Sequence, residues 1–224
     1  MNQIFFITGT DTGVGKTVLT ALLAAFLRGR GASVAAFKPV CSGGRRDAVI
    51  LQQALGGALA LDEINPWHFR AAVAPVLAAE LEKKSVRLAP VLAQLRAQRK
   101  KFAVTLVEGA GGLLSPLGED FDSRDLIAAL RATPIIVAPN QLGAVNHVLL
   151  TLAALPKDLR TRAKVVWMSP PKPDLAAAAN VRLLARFFPR ERIFTLAWFG
   201  KPVAVAAVLQ RPQVRRTLAA LART

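Results

Sequence analysis

The sequence predicts a three-layer α/β fold, a mainly parallel sheet with helices on both faces. Three observations carry that expectation. Apolar strand-like runs alternate with helical patterns along the chain, the order that builds parallel sheets with crossover helices. The strand-like runs are continuously apolar, as strands buried on both faces are. Polar punctuation follows three of them, at 9–17, 39–47 and 109–116, the sheet edge where ligands of such folds collect.

Taken in order, Ile4–Thr8 reads as a buried strand and Val18–Arg28 as an apolar helix. Ser33–Lys38 is the next strand, and Arg46–Leu55 and Leu88–Lys100 carry helical patterns. Phe102–Glu108 is a strand, Ser123–Arg131 a helix, Pro134–Ala138 a strand and Ala144–Leu155 a helix. Ala163–Met168 and Arg192–Leu196 complete the strands, with Leu175–Phe188 helical between them and Pro212–Arg223 a closing helix. No repeat, low-complexity tract or linker interrupts this order, so residues 1–224 read as a single domain.

Composition narrows the function classes. Hydrophobic residues at 53% against 20% charged exclude wholesale disorder. One cysteine, Cys41, rules out an internal disulfide framework and a cysteine-cluster metal site. Two histidines, His68 and His147, argue against a multi-histidine zinc site. The uncharged stretch Ala132–Pro156 is long enough to span a membrane. Its Pro134, Pro139, Asn140, Gln141, Asn146 and His147 make it read instead as strand, polar loop and helix. Met1-Asn2-Gln3 lacks a basic region and the apolar run after it is short, so no signal peptide is expected and the expected setting is the cytoplasm. Net charge is +16, of which residues 151–224 hold 14 basic against 3 acidic side chains, or +11. These basic residues lie among alanines and leucines without aromatic interleaving, which favours solvated helix faces over a nucleic-acid surface.

Gly9-Thr10-Asp11-Thr12-Gly13-Val14-Gly15-Lys16-Thr17 follows a strand and opens a helix. That is the context of a phosphate loop, in which backbone N–H groups turn inward and the helix start adds positive potential. Lys16 is placed for the β- and γ-phosphates and the Thr17 hydroxyl for Mg²⁺. The architecture is therefore expected to be P-loop NTPase-like. Glu108 ends a strand beside this loop, where a second metal ligand belongs. Asp47 is either a further metal ligand or the cap of the helix that follows it. Lys38 ends the second strand ahead of Pro39, facing the same edge as Lys16. Two lysines there suggest that a second anion is handled besides the nucleotide.

These segments together resemble a known family. Thr8-Gly9-Thr10-Asp11-Thr12 with Val14-Gly15-Lys16-Thr17, Lys38-Pro39-Val40 with Ser42-Gly43, Val107-Glu108-Gly109-Ala110-Gly111-Gly112 with Pro116-Leu117, and Leu142-Gly143 with Asn146-His147 are similar to the dethiobiotin synthetases. Thr10, a departure from the strict phosphate loop, is itself that family's form. The resemblance covers roughly residues 3–155. It implies ATP- and Mg²⁺-dependent closure of a ureido ring on 7,8-diaminononanoate with CO₂, in a homodimer, with no membrane or nucleic-acid partner. One amine captures CO₂ as a carbamate, whose oxygen attacks the γ-phosphate; the second amine then closes the ring and expels phosphate. Lys38 and Lys16 are implied as catalytic. Nucleotide contacts are implied at Gly13, Val14, Gly15, Lys16, Thr17, Val18, Asp47, Glu108, Gly109, Ala110 and Gly111. Thr17, Asp47 and Glu108 are implied as metal ligands. Thr12, Ser42, Gly143, Ala144 and Asn146 are implied as substrate contacts, although Asn146 and His147 also read as local caps.

The chain departs from that pattern in two places. Only Gly44-Arg45-Arg46 separates Gly43 from Asp47, a trimmed loop. In the adenine region, Met168 and Ser169 stand where the family carries Asn and Asp, and Ala197-Trp198-Phe199 replaces a proline-containing loop. Met168 lacks the paired donor and acceptor that read adenine, so relaxed base selectivity is expected. Two other readings compete: a partner-regulated ATPase of the partitioning or septum-placement kind, which the basic final third favours, and a homologue that binds nucleotide without turnover.

Overall fold

The computed structural model describes residues 3–199 and 204–223; Met1 and Asn2 of the expected N-terminal reading lie outside them. The elements run β1 Gln3–Gly9, α1 Lys16–Arg28, β2 Val34–Phe37, β3 Val40–Cys41, α2 Arg46–Ala54, α3 Leu61–Ile64 and β4 Trp67–His68. They continue through α4 Pro75–Leu81, α5 Leu88–Arg99, β5 Val104–Glu108, α6 Ser123–Leu130, β6 Thr133–Pro139, α7 Ala144–Ala154 and α8 Lys157–Arg160. β7 Lys164–Ser169, α9 Leu175–Leu184, β8 Ile193–Ala197, α10 Val205–Leu209 and α11 Pro212–Leu221 complete the described chain.

Six strands form one sheet in the order β2-β5-β1-β6-β7-β8, and every pairing is parallel. Strand β1 is central because its Phe5, Phe6 and Ile7 are wholly apolar and can be covered on both sides. Helix α1 packs against α2, α10 and α11, whereas α5 contacts α6 and α7 contacts α9. Right-handed crossovers place these two groups on opposite faces, which gives the three layers. Among the described residues no helix is long and apolar enough to cross a membrane; the stretch after Ala132 divides into β6, a loop and α7.

Two local features fix the ends of helices. Helix α6 starts in a reciprocal capping box, with the Asp125 amide donating to Asp122 Oδ1 at 3.0 Å and the Asp122 amide to Asp125 Oδ2 at 2.9 Å. At the opposite end of the sheet from the phosphate loop, Lys164 Nζ donates to the carbonyls of Leu221, at 2.7 Å, and Arg223. It thereby clamps the end of α11 beneath the Phe5 ring. Expected boundaries at Val18, Phe102 and Arg223 move to Lys16, Val104 and Leu221, and the widest shift is in the helix predicted to Phe188, which stops at Leu184. Pro189 follows, and a residue ahead of proline is steered away from helical dihedrals. A miniature parallel sheet, β3 with β4, was not expected; it pairs Val40 with Trp67 and Cys41 with His68.

Candidate active site

The phosphate loop leaves β1 and enters α1 through Gly15, whose φ of 105° only glycine adopts without strain. A side chain there would also strike Met168 Cγ at 3.1 Å and Trp198 Cζ3 at 3.3 Å. Lys16 lies in the first turn of α1, and its Nζ donates to the Asp11 carbonyl at 2.7 Å. Burial, with Lys38 next, pushes the Lys16 pKa down to about 8.

Strand ends bring the charged groups together. Lys38, one residue beyond β2, is buried and lies 2.7 Å from Glu108 Oε1 and 2.9 Å from Asp47 Oδ2. The Thr17 hydroxyl donates to the same Glu108 Oε1 at 2.7 Å. Burial opposes charge on Lys38, but Glu108 and Asp47 outweigh it and hold the ammonium above the usual lysine range. Burial likewise opposes the Asp47 carboxylate, and Lys38 outweighs it, so Asp47 ionises below the usual range. The expected alternative, Asp47 as a helix cap, is corrected: Asp47 lies inside the first turn of α2, Arg45 is the cap residue, and the carboxylate is spent on Lys38. Each lysine is engaged within the chain, Lys16 by a carbonyl and Lys38 by two carboxylates.

The sequence expected no particular role for Asn65, which is fully buried and holds this corner in place. Its Nδ2 donates to the Lys38 carbonyl at 2.7 Å, and its Oδ1 accepts from Cys41 Sγ at 3.1 Å and from Arg45 Nε at 3.3 Å. The Lys38 amide in turn donates to the Ile64 carbonyl at 2.9 Å. The short helix α3 thus positions the lysine's backbone from a segment with no motif of its own.

A cavity of about 690 Å³ opens over these groups. Thr12, Gly13, Gly15, Lys16, Thr17, Val18, Lys38, Ser42, Asp47, Ala110 and Gly111 line it. Glu108 lies directly behind, fully buried, with Oε2 lacking a hydrogen-bond partner. Val14 is buried in the core, and the Gly109 carbonyl sits 3.5 Å from Lys38 Nζ without lining the cavity. Sequence reasoning missed the apolar wall of Ile50 and the loop Ala72, Val73, Ala74 and Pro75. Small apolar residues in a connection carry no motif that could have signalled it. Ser42 is tied to that wall, its hydroxyl donating to the Val73 carbonyl at 2.6 Å.

Gly143, Ala144 and Asn146 are not brought into this cavity. They start α7, where Gly143 is the cap with φ 83° and Asn146 is exposed. In the base region, buried Met168 packs on Gly15 beside Trp198. Asn140, the nearby side-chain amide, donates to Ser169 Oγ at 2.8 Å and the Ala177 carbonyl at 3.0 Å, and accepts from Asn180 at 2.9 Å. Its donors are therefore committed within the chain.

Comparison with known proteins points the same way. A family model described as an AAA domain matches residues 3–207. Over 198 residues the chain is 39% identical to the ATP-dependent dethiobiotin synthetase of Anaeromyxobacter dehalogenans, covering 86% of this chain and 89% of that one. The enzyme of the same name from Methanococcus vannielii is 36% identical over 154 residues, 69% and 73% of the two chains. That of Bacillus subtilis is 42% identical over 153 residues, 66% of each. Among solved structures, pNOB8 ParA bound to nonspecific DNA superposes with a TM-score of 0.59 at 12% identity, covering 99% of this chain and 97% of that one. A ParA family ATPase from Chlorobium tepidum gives 0.55 at 11% identity, covering 97% and 96%. Those two likenesses establish the P-loop NTPase fold and stop there, whereas the sequence matches, at 36–42% identity, cover between 66% and 89% of enzymes that share one name. The chain belongs to the ATP-dependent dethiobiotin synthetase family.

Proposed function

We propose that this chain is a carbon–nitrogen ligase that converts 7,8-diaminononanoate, CO₂ and ATP into dethiobiotin, a step of biotin biosynthesis. The observation that carries the reading is the meeting of Lys16, Lys38, Thr17 and Asp47 on one cavity with Glu108 behind it. A carbamate and a triphosphate repel each other, so bringing them into line needs fixed positive charge in a water-poor site. Lys16 serves the phosphates from the loop. Lys38, on a rigid strand end beside Ser42, serves the carbamate and the phosphoryl group in transfer. The apolar wall of Ile50, Val73 and Pro75 suits an aliphatic chain.

The residues present fit Mg²⁺. The Glu108 Oε2 atom is buried without a partner, and hard oxygen donors of this kind with a threonine hydroxyl suit the ion. Thr17, Asp47 and Glu108 would hold it, and when bound it supplies charge neutralisation between the phosphates. Gly13, Val14, Gly15, Val18, Gly109, Ala110 and Gly111 shape the nucleotide's surroundings, and Thr12 and Ser42 contact the substrate. The start of α7, with Gly143, Ala144 and Asn146, receives the substrate carboxylate from a second copy, which makes the working unit a homodimer in the cytoplasm. A helix start offers unpaired N–H groups to such an anion, and Leu142 beside it is exposed.

The test is phosphate release with ATP, diaminononanoate and bicarbonate, omitted one at a time. Release should need all three, with dethiobiotin formed in equal amount. ATP hydrolysis indifferent to diaminononanoate would overturn the assignment.

A further inference from the structure

A second cavity, of about 390 Å³, opens at the N-terminal edge of the sheet, remote from the phosphate loop. It lies between the ends of α5 and α6, beside Ile4 at the start of β1. Among the described residues its lining holds three guanidinium side chains, Arg96, Arg99 and Arg131, and no carboxylate. Arg96 Nη2 donates to the Ala129 carbonyl at 3.1 Å, which fixes that guanidinium against the segment preceding Arg131. A fourth guanidinium approaches from behind, with Arg162 Nη1 3.4 Å from the Arg131 carbonyl. Among the described residues the nearest carboxylate to Arg162 is Asp158, at 4.0 Å and outside the lining.

A second observation is independent of charge. Arg131 ends α6 with φ 51°, a left-handed conformation shared among non-glycine residues only with Lys83 in the described chain. Glycine is the usual residue at such a helix end, because any Cβ there is strained. Arg131 therefore carries a backbone strain that glycine would not, and its guanidinium lines the cavity. Backbone strain of this kind gathers at binding sites.

The geometry points to a binding site for a small phosphate-bearing polyanion at this edge, with Arg96, Arg99 and Arg131 as its cations. Guanidinium groups present several N–H donors in a plane and match phosphate oxygens in pairs. The volume falls within the range of small-ligand sites and accommodates pyrophosphate or the phosphate tail of a nucleotide. The competing account is that these arginines only complement the carbonyl ends of α5 and α6.

The two accounts separate on Arg131→Gly. Residue-resolved NMR on the intact protein, titrated separately with pyrophosphate and with ADP, reads both edges at once. Saturable amide shifts at Ala128–Arg131 are expected, distinct from those at Gly13–Thr17. Arg131→Gly should relieve the backbone strain and raise the unfolding midpoint by about 2–4 °C. It should also weaken the second site at least tenfold and leave the phosphate-loop shifts unchanged. Pyrophosphate against ADP tells a free polyphosphate from a nucleotide tail. The proposal is overturned if shifts at Ala128–Arg131 are reproduced by sodium chloride at equal ionic strength. It is equally overturned if they persist in the triple variant Arg96→Gln, Arg99→Gln, Arg131→Gly.

Discussion

The two edges of the sheet handle positive charge in opposite ways. At the C-terminal edge, Lys38 is buried against two carboxylates and Lys16 against a carbonyl, so charge is gathered and largely neutralised inside the chain. At the N-terminal edge, Lys164 and Arg96 rest on backbone carbonyls, and among the described residues no carboxylate lines the cavity beside Arg131. A buried ion pair is strongly destabilised when one member is removed, whereas a cation on helix-end carbonyls is worth far less. In the proposed reaction, the cations of the first edge would exchange these intrachain partners for an anionic substrate. The second lines its cavity with guanidinium groups and, among the described residues, with no carboxylate, as the proposed anion site requires.

Removing Lys38 should break this contrast most severely. In Lys38→Met, ring closure should fall by about a hundredfold to a thousandfold, as for loss of one stabilising donor at developing charge. Nucleotide affinity, read by calorimetry with a non-hydrolysable analogue, should change little. Glu108 would be left buried and unpaired, costing about 3–5 kcal/mol of stability. Adding Glu108→Gln should restore part of that stability in urea titrations. If Lys38→Met loses nucleotide binding in proportion to turnover, the division of labour between the two lysines is wrong.

Gly15→Ala comes next, because it strains the loop and presses on Met168 and Trp198 together. We expect at least a tenfold loss of nucleotide affinity, about 1.4 kcal/mol. An unchanged dissociation constant would mean that the loop reshapes freely.

A smaller effect concerns the base. With Met168 over Gly15 and Asn140 committed to Ser169 and Ala177, kcat/KM for ATP over GTP or CTP should stay below about a hundredfold, roughly 2.7 kcal/mol. Met168→Asn should widen that ratio. A wild-type ratio well above it would show that other groups read the base.

The smallest effect sits at the opposite edge. Burial first, and Arg192 next, push Lys164 down to about 8 in the folded chain, against about 10.4 when unfolded. Between those values the unfolded state binds more protons, so stability gains as pH rises through that window. Below pH 8 the lysine is charged in both states and its contribution is constant. The stability of wild type relative to Lys164→Met should therefore rise from pH 8 to 10. A flat difference would mean that the carbonyls of Leu221 and Arg223 hold the ammonium charged throughout.

How much of this was legible beforehand depends on the length of the pattern. The six strands of the main sheet follow from continuous apolar runs and the longer helices between them from helical periodicity, whereas the short helices α3, α4, α8 and α10 were not expected. The phosphate loop and the two strand-end residues, Lys38 and Glu108, were legible because strand ends mark one sheet edge. Their pairing was not, since 70 positions separate them and only the β2–β5 register brings them face to face. Strands β3 and β4 have two residues each, too few for any period. Asn65 is an isolated polar residue whose role exists only through Lys38, Cys41 and Arg45. Arg96 and Arg99 read in sequence as an ordinary solvated helix end, and φ at Arg131 cannot be read from a sequence at all.

The cover over α1 has a consequence in time. Helix α1 is almost entirely buried, partly by α10 and α11, and Gln3 Nε2 reaches the Ala222 carbonyl at 3.4 Å. The helix that carries Lys16 is thus made first, and its covering is made last. At roughly 5–20 residues per second of synthesis, its apolar flank waits on the order of ten seconds before α10 and α11 leave the ribosome. During that interval this flank is open to chaperones or to neighbouring nascent chains. A chain interrupted before Val205 would carry every motif of the site and still lack the two helices that pack on α1.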